Sequence, residues 1–314
     1  MTNFQRIVRS VRSFSHDLLH RYEVQHRESC PTALPRKLGL ALGGGFARGL
    51  CHIGILKVLE QENIPVHCVA GTSVGAVIGA AYCSGVSAAE LEELARTVRF
   101  KDFARWTFSR YGFCNNDRMA RLCGRVLKAH TFAELRIPLA ITATDFRSGE
   151  AVVFTEGELV DPIRASCAYP GMFRPVEFGG RSYIDGMLAH VVPTGPARQI
   201  GAEVVLGSYL NSHWADCRMP RHIFEVIGQC FSIAQSKLYD VSKSEADLMI
   251  EPDVAGFSYD AFASASELIQ RGERAARQVL PRIRALLQLP EPAVMQAFEG
   301  LPISAVASQH SPAM

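Results

Sequence analysis

The sequence predicts an α/β fold in three layers, α/β/α, with a mainly parallel central sheet between the helices. Three observations carry that expectation. From Lys37 onward, short apolar runs alternate with longer stretches of helical period, starting with a strand at 38–42, a helix at 47–61, a strand at 66–70 and a helix at 73–83. A βαβα opening of this kind implies parallel strands joined by crossover helices. The chain has 314 residues, 48% of them hydrophobic, enough to bury one large core.

Three regions follow from the patterning: a basic amphipathic N-terminal helix and linker at 1–36, a folded body at 37–290, and a loosely held tail at 291–314. In the first, Phe4, Ile7, Val8, Val11, Phe14 and Leu18 recur at three- and four-residue steps, with Arg6, Arg9 and Arg12 between them. Its basic face suits anionic lipid, and its apolar face suits packing on the body of the protein; the period fits both. Pro31 and Pro35 close the segment.

After the opening βαβα, helical periods resume at 88–98 and 117–129, separated by an aromatic, irregular stretch at 100–114 that reads as a loop or flap. Strands are expected at 139–143 and 152–155, joined through the turn Arg147-Ser148-Gly149, and again at 182–184 and 204–209. Long helices follow at 223–242 and 263–287, the second ended by Pro290. Asp145 is expected to cap the turn that follows it.

Composition narrows the function. A net charge of +2 with 20% charged residues gives no global basic field for nucleic acid. The nine cysteines are odd in number and contain no C-x-x-C pair, which fits free thiols in a reducing compartment better than a disulfide framework or a zinc site. No run of roughly 18 to 20 apolar residues reads as a membrane span, and no signal-peptide pattern opens the chain. The expectation is a cytoplasmic protein without metal or other cofactor, with peripheral contact at the inner membrane face left to the N-terminal helix.

Two glycine turns carry the chemistry. The first, Gly43-Gly44-Gly45-Phe46-Ala47-Arg48-Gly49, stands where the first strand becomes the first helix, so backbone N–H groups converge on a point next to a helix N-terminus. Such a turn suits an anion: a nucleotide phosphate or the transient oxyanion of acyl transfer. The nucleotide reading needs an acid at the end of the second strand, and Val69-Ala70-Gly71 supplies none. In its place stands Gly71-Thr72-Ser73-Val74-Gly75, a G-x-S-x-G at a strand-to-helix joint, which lifts the Ser73 hydroxyl above the sheet as a nucleophile. A hydroxyl nucleophile needs a base, and His190, five residues after Asp185, leaves a triad open.

Both turns, the stretch 165–176 with its Tyr169-Pro170-Gly171, and Tyr183-Ile184-Asp185-Gly186 together resemble patatin-like phospholipases in order and spacing. The later Asp247-Leu248-Met249-Ile250-Glu251-Pro252 and the helix around Leu268 to Gly272 are similar to the bacterial branch related to neuropathy-target-esterase catalytic domains. The resemblance covers about 37–290. It implies the patatin-like fold, a Ser-Asp dyad of Ser73 and Asp185 without histidine, and an oxyanion hole from Gly43, Gly44 and Gly45. Arg48, Gly71, Gly75 and Gly186 then support the site, and the substrate is a lipid or other acyl ester. The sequence departs from the family after Asp185-Gly186, where Met187 replaces a small residue and His190 stands near the place of an asparagine. Met187 crowding the site keeps a second reading in view, a lipid-binding or regulatory protein with weak catalysis. Arg48 is expected to orient the glycine turn, meet a lipid phosphate or make a structural hydrogen bond to local carbonyls, His52 to pack as a helix residue, and 165–176 to pack against the site. The apolar segments 100–113 and 169–178 are candidates for the acyl groove.

Overall fold

Runs of small and aliphatic residues, buried on both faces, form the centre of the sheet: β1 (Leu38–Leu42), β2 (Cys68–Thr72) and β9 (Val204–Ser208). The computed structural model describes residues 36–210, 219 and 223–289; the expected N-terminal helix and the tail 291–314 lie outside the described residues. The remaining strands are β3 (Arg105–Ser109), β4 (Gly112–Asn115), β5 (Leu139–Asp145), β6 (Ala151–Phe154), β7 (Val176–Phe178), β8 (Arg181–Asp185) and β10 (Leu248–Ile250). The main sheet runs β10-β9-β1-β2-β5-β8-β7, with β6 also paired to β5. Strands β10 to β5 along this path are parallel, while β6, β7 and β8 pair antiparallel.

Alternation along each strand divides the interior in two. Leu38, Leu40, Leu42, Val69, Ile141 and Leu206 belong to the larger core, and Ala41, Cys68, Ala70, Ala140 and Val205 to the smaller one. The larger core is covered by α1 (Cys51–Gln61), α2 (Val74–Cys83), α3 (Ala88–Thr97) and the long α9 (Ala265–Leu287). The smaller is covered by α7 (Thr194–Gln199) and, through Leu238 and Tyr239, by α8 (Ile223–Glu245). Helices on both faces of a mainly parallel sheet make the three-layer α/β/α fold. Truncating a fully buried leucine such as Leu40 to alanine costs about 2–5 kcal/mol.

Gly54 of α1 and Gly272 of α9 mark an unusually close helix crossing. A Cβ on Gly54 would strike the Ile269 carbonyl, and one on Gly272 the Cys51 carbonyl, so the two backbones touch. The helix that follows the glycine turn is thereby fixed to a segment more than two hundred residues later.

Element bounds shift from expectation in three instructive places. The segment 47–61 begins as a 3₁₀ turn, Phe46–Leu50, before α1. Strand β2 extends two residues beyond Ala70, because pairing of Gly71 with Ile141 and Thr72 with Thr142 outweighs the weak strand preference of glycine. The stretch expected to be an irregular loop at 100–114 is a short helix, α4 (Phe100–Phe103), followed by the β3–β4 hairpin; its aromatic and threonine content is strand-forming, and the hairpin is rooted by Cys114, which donates to the Met172 carbonyl at 2.7 Å and accepts from Arg174 N–H at 3.0 Å. Two further helices complete the described chain, α5 (Asp117–Val126) and α6 (Val160–Ser166).

Candidate active site

Strand β5 brings the two key segments together. Its Thr142 pairs with Thr72 of β2, and its next residue, Ala143, pairs with Asp185 of β8. Both Thr142 and Ala143 also pair with β6, so β6 takes one edge of β5 while β2 and β8 meet end to end on the other. The C-terminus of β2, which delivers Ser73, therefore faces the C-terminus of β8, which delivers Asp185. Thr72 Oγ1 and Thr142 Oγ1 lie 2.7 Å apart, and Thr144 Oγ1 donates to the Asp185 carbonyl at 3.0 Å, pinning both ends to β5.

Ser73 stands at the elbow between β2 and α2 with φ 56° and ψ −123°, a conformation that stores strain and lifts the side chain off the sheet. The strain is held in place by neighbours. Ser73 N–H donates to Ser166 Oγ at 2.7 Å, and the Ser73 carbonyl accepts from Ala76 and Val77 N–H. A Cβ at Gly75 would collide with the Leu42 carbonyl, and one at Gly71 with the Ala76 backbone, so the elbow tolerates only glycine on both sides. Gly186 plays the same part beside Asp185, its Cα lying against the Thr142 carbonyl.

The Ser73 hydroxyl donates to Asp185 Oδ2 at 2.8 Å, and Met187 N–H donates to the other carboxylate oxygen at 2.9 Å. Burial disfavours the charged form and pushes the Asp185 carboxyl up to about 7, against the opposing pull of those two hydrogen bonds. A carboxyl so placed ionises near neutral pH and is a far stronger base than an exposed aspartate. The Cys167 thiol, held well above its ordinary value by burial, also contacts Ser73.

The glycine turn faces this pair. A Cβ on Gly44 would lie 3.3 Å from Ser73 Cβ and would collide with the Met187 thioether. The Gly43 N–H, one of the three donors expected from the sequence, is turned away to the Ser208 carbonyl of β9 at 3.1 Å. Gly44 N–H makes a long contact of 3.4 Å with the Val191 carbonyl, and among the described residues Gly45 N–H has no acceptor. Gly45 is thus the donor left without an acceptor among the described residues and Gly44 the weakly engaged one, with Gly43 anchoring the turn to the sheet.

His52 holds the turn from behind. Its Nε2 lies 2.9 Å from the Gly43 carbonyl and its Nδ1 3.0 Å from Ser208 Oγ. Full burial pulls its pKa down to about 4, so the ring is neutral; the carbonyl requires a donor, which puts the proton on Nε2. Arg48 is also buried: its Nε and Nη2 donate to the Phe257 carbonyl at 2.9 and 2.6 Å, and its guanidinium stacks over Tyr259 at 4.1 Å. It clamps the turn to the 257–259 loop and is not presented to a lipid phosphate. Among the described residues His190 makes no side-chain hydrogen bond to the Asp185 carboxyl, whose partners are Ser73 and Met187; burial lowers its pKa, and the charge that opposes the shift is Glu245. Asp145 accepts from Arg147 and Ser148 N–H at 2.9 and 3.0 Å, capping its turn.

Beside Ser73 opens an apolar cavity of about 140 Å³. Ser73, Val77 and Ala81, at four-residue steps on one face of α2, line its length, roughly 12 Å along the helix. Leu91 and Leu94 of α3 and Met119, Leu122 and Val126 of α5 close the opposite wall. Phe103 and Phe173 contribute from the two aromatic segments expected to form a groove, but most of the lining comes from helices that carried no such signal in the sequence. Ser166 and Cys167 were likewise visible only as packing residues. Among the described residues no cluster of His, Cys, Asp or Glu could hold a metal ion.

Several known proteins are similar to this chain. An uncharacterized NTE family protein of Mycobacterium tuberculosis is 30% identical over 178 residues, covering 56% of this chain and 49% of its own length. The human patatin-like phospholipase domain-containing protein 6 is 32% identical over 183 residues, 56% of this chain and 13% of that protein. Lysophospholipase nte1 of Aspergillus fumigatus is 22% identical over 288 residues, 82% of this chain and 19% of that protein. The chain thus spans about half the length of the mycobacterial relative and less of the others. Among solved structures, VipD from Legionella pneumophila superposes with a TM-score of 0.56 at 12% identity, covering 80% of this chain and 67% of that one, a likeness of fold alone. The family model described as patatin-like phospholipase matches residues 40–198, which take in both glycine turns, Ser73 and Asp185, and on that match the chain belongs to the patatin-like phospholipase family.

Proposed function

We propose that this protein is a serine hydrolase of fatty-acyl esters of lipids, acting through a Ser73–Asp185 dyad and an acyl-enzyme. The observation that carries the reading is the 2.8 Å hydrogen bond from a strained serine hydroxyl to a buried carboxylate, at the head of an apolar cavity. Asp185 accepts the Ser73 proton as Oγ attacks the ester carbonyl. The negative charge that develops on the carbonyl oxygen is met by the N–H groups of Gly44 and Gly45 and by the N-terminal end of α2. Collapse of the tetrahedral adduct breaks the ester bond, and Asp185 returns the proton to the departing alkoxide. Water then repeats the sequence on the acyl-serine, releasing the fatty acid. The cavity takes the acyl chain. The names phospholipase and lysophospholipase borne by the relatives support a glycerolipid as the natural ester.

Hydrolysis of para-nitrophenyl esters and of lysophosphatidylcholine tests the proposal. Ser73→Ala and Asp185→Asn are each expected to lower kcat/KM by about a thousandfold or more. Retention of near-normal turnover by Asp185→Asn, with loss in His190→Ala, would replace the dyad by a triad. One observation favours a second reading: the Met187 side chain packs on Gly44, where a substrate carbonyl must sit. A lipid-binding protein with little turnover would fit that contact, and covalent labelling of Ser73 by a fluorophosphonate separates the two.

A further inference from the structure

The hairpin β3–β4 and the outer side of α5 form an exposed face of unusual composition. Trp106 is 72%, Tyr111 54% and Phe113 45% exposed, and Arg105 and Arg110 are exposed beside them. Residues 99–126 hold seven arginine and lysine side chains against Asp102 and Asp117, in a chain whose net charge is only +2. Lys101, Arg118, Arg121 and Arg125 line a cleft in which the acid is Asp102, itself engaged by the Arg99 N–H at 2.8 Å. Asp117 is paired with Arg164 at 2.7 Å. Among the described residues, Arg105, Arg110, Arg121 and Arg125 form no ion pair with a carboxylate.

The two sides of α5 link this face to the cavity. Arg118, Arg121 and Arg125 recur at helical spacing on the outer side, while Met119, Leu122, Cys123 and Val126 line the cavity from the inner side. One helix thickness, about 10 Å, therefore separates the basic cleft from the apolar chamber beside Ser73. Aromatic rings with a polar edge favour the headgroup depth of a bilayer, and unpaired arginines favour anionic headgroups. The hairpin is anchored for such a role: a Cβ on Gly112 would meet the Phe173 backbone at 2.7 Å, so the ribbon is braced against the body with its tip free.

We propose that the β3–β4 hairpin and the arginine side of α5 dock the protein on an anionic phospholipid surface, with Trp106 and Tyr111 seated among the headgroups. The use of this face rests on the lipid-ester reading; its test does not. Full-length Ser73→Ala protein is sedimented with vesicles of phosphatidylcholine alone and of an equimolar mixture with phosphatidylglycerol. Partition onto the mixed vesicles is expected to exceed that onto the neutral ones by about tenfold or more, and to fall at high salt. The Trp106→Ser/Tyr111→Ser and Arg121→Glu/Arg125→Glu pairs, each checked for an unchanged Tm, are expected to lose most of that partition. In the active background the same pairs are expected to keep hydrolysis of soluble para-nitrophenyl butyrate while losing it on vesicle substrate. The proposal is overturned if both pairs sediment like the parent, if neutral and anionic vesicles bind alike, or if neither binds, the outcome a protein partner would give. Absence of butyrate hydrolysis from the active parent would count against the catalytic reading and leave the sedimentation result standing.

Discussion

Asp185 divides its carboxylate between two donors, the Ser73 hydroxyl on Oδ2 and the Met187 N–H on Oδ1, inside a site that raises its pKa to about 7. In the proposed dyad this carboxyl must be ionised to accept the serine proton. As pH falls below about 7 the carboxyl protonates, and kcat/KM is expected to drop about tenfold per pH unit. Above it the rate reaches a plateau. His52, at about 4, stays neutral throughout, so a single ionisation should describe the profile from pH 5 to 9. A profile centred near pH 4 would show that the carboxyl keeps the ordinary range of an aspartate and that burial does not raise it.

The same shift works against stability. The folded pKa of Asp185 lies above its unfolded value, so the stabilisation it contributes is full below about pH 4 and is lost as pH rises through about 7. The loss is on the order of 4 kcal/mol. Asp185→Asn is therefore expected to raise Tm at pH 8 and to lose most of that advantage by pH 5. Thermal melts of both proteins across that range decide it; a lower Tm for the variant at pH 8 would contradict the expectation.

The Met187 thioether packs against Gly44, where the proposed mechanism puts the substrate carbonyl. Met187→Ala keeps the backbone N–H that binds Asp185 and removes the obstructing thioether. Turnover of two-chain phospholipid is expected to rise several-fold, with little change for a small ester. Equal losses on both substrates would mean that the side chain supports the site instead of narrowing it.

Val77 lies one helical turn beyond Ser73 along the cavity wall. Val77→Phe shortens the chamber, at a stability cost of about 1–3 kcal/mol from overpacking. Para-nitrophenyl palmitate hydrolysis should fall by about tenfold or more while butyrate hydrolysis persists. Loss of both in parallel would place the acyl chain elsewhere.

Much of this site is written locally. Strand β1, the glycine turn and the G-x-S-x-G elbow follow from runs and turn residues within a few positions of one another, and the sequence places them correctly. The partnership of Ser73 with Asp185 is different in kind: the residues are 112 apart, and they meet because β2 and β8 abut on one edge of β5, a pairing that no local pattern encodes. Family resemblance, not periodicity, pointed to Asp185. The direction of an N–H group is equally hidden, so the loss of Gly43 to the Ser208 carbonyl could be seen only in three dimensions. The hairpin carries no local signal, because its tip, Arg110-Tyr111, lacks the Asn-Gly signature of a tight turn.

The backbone contact between Gly54 and Gly272 has a practical corollary for anyone cutting this gene. Similarity to the family model stops at residue 198, yet β9, the direct neighbour of β1, begins at Val204, and Arg48 finds its acceptor at Phe257. A fragment ending at 198 would expose a bare sheet edge beneath the glycine turn and strip the partner from α1. The recognisable stretch is thus a signature and not a module, and an expression or grafting design should carry the chain through Leu287.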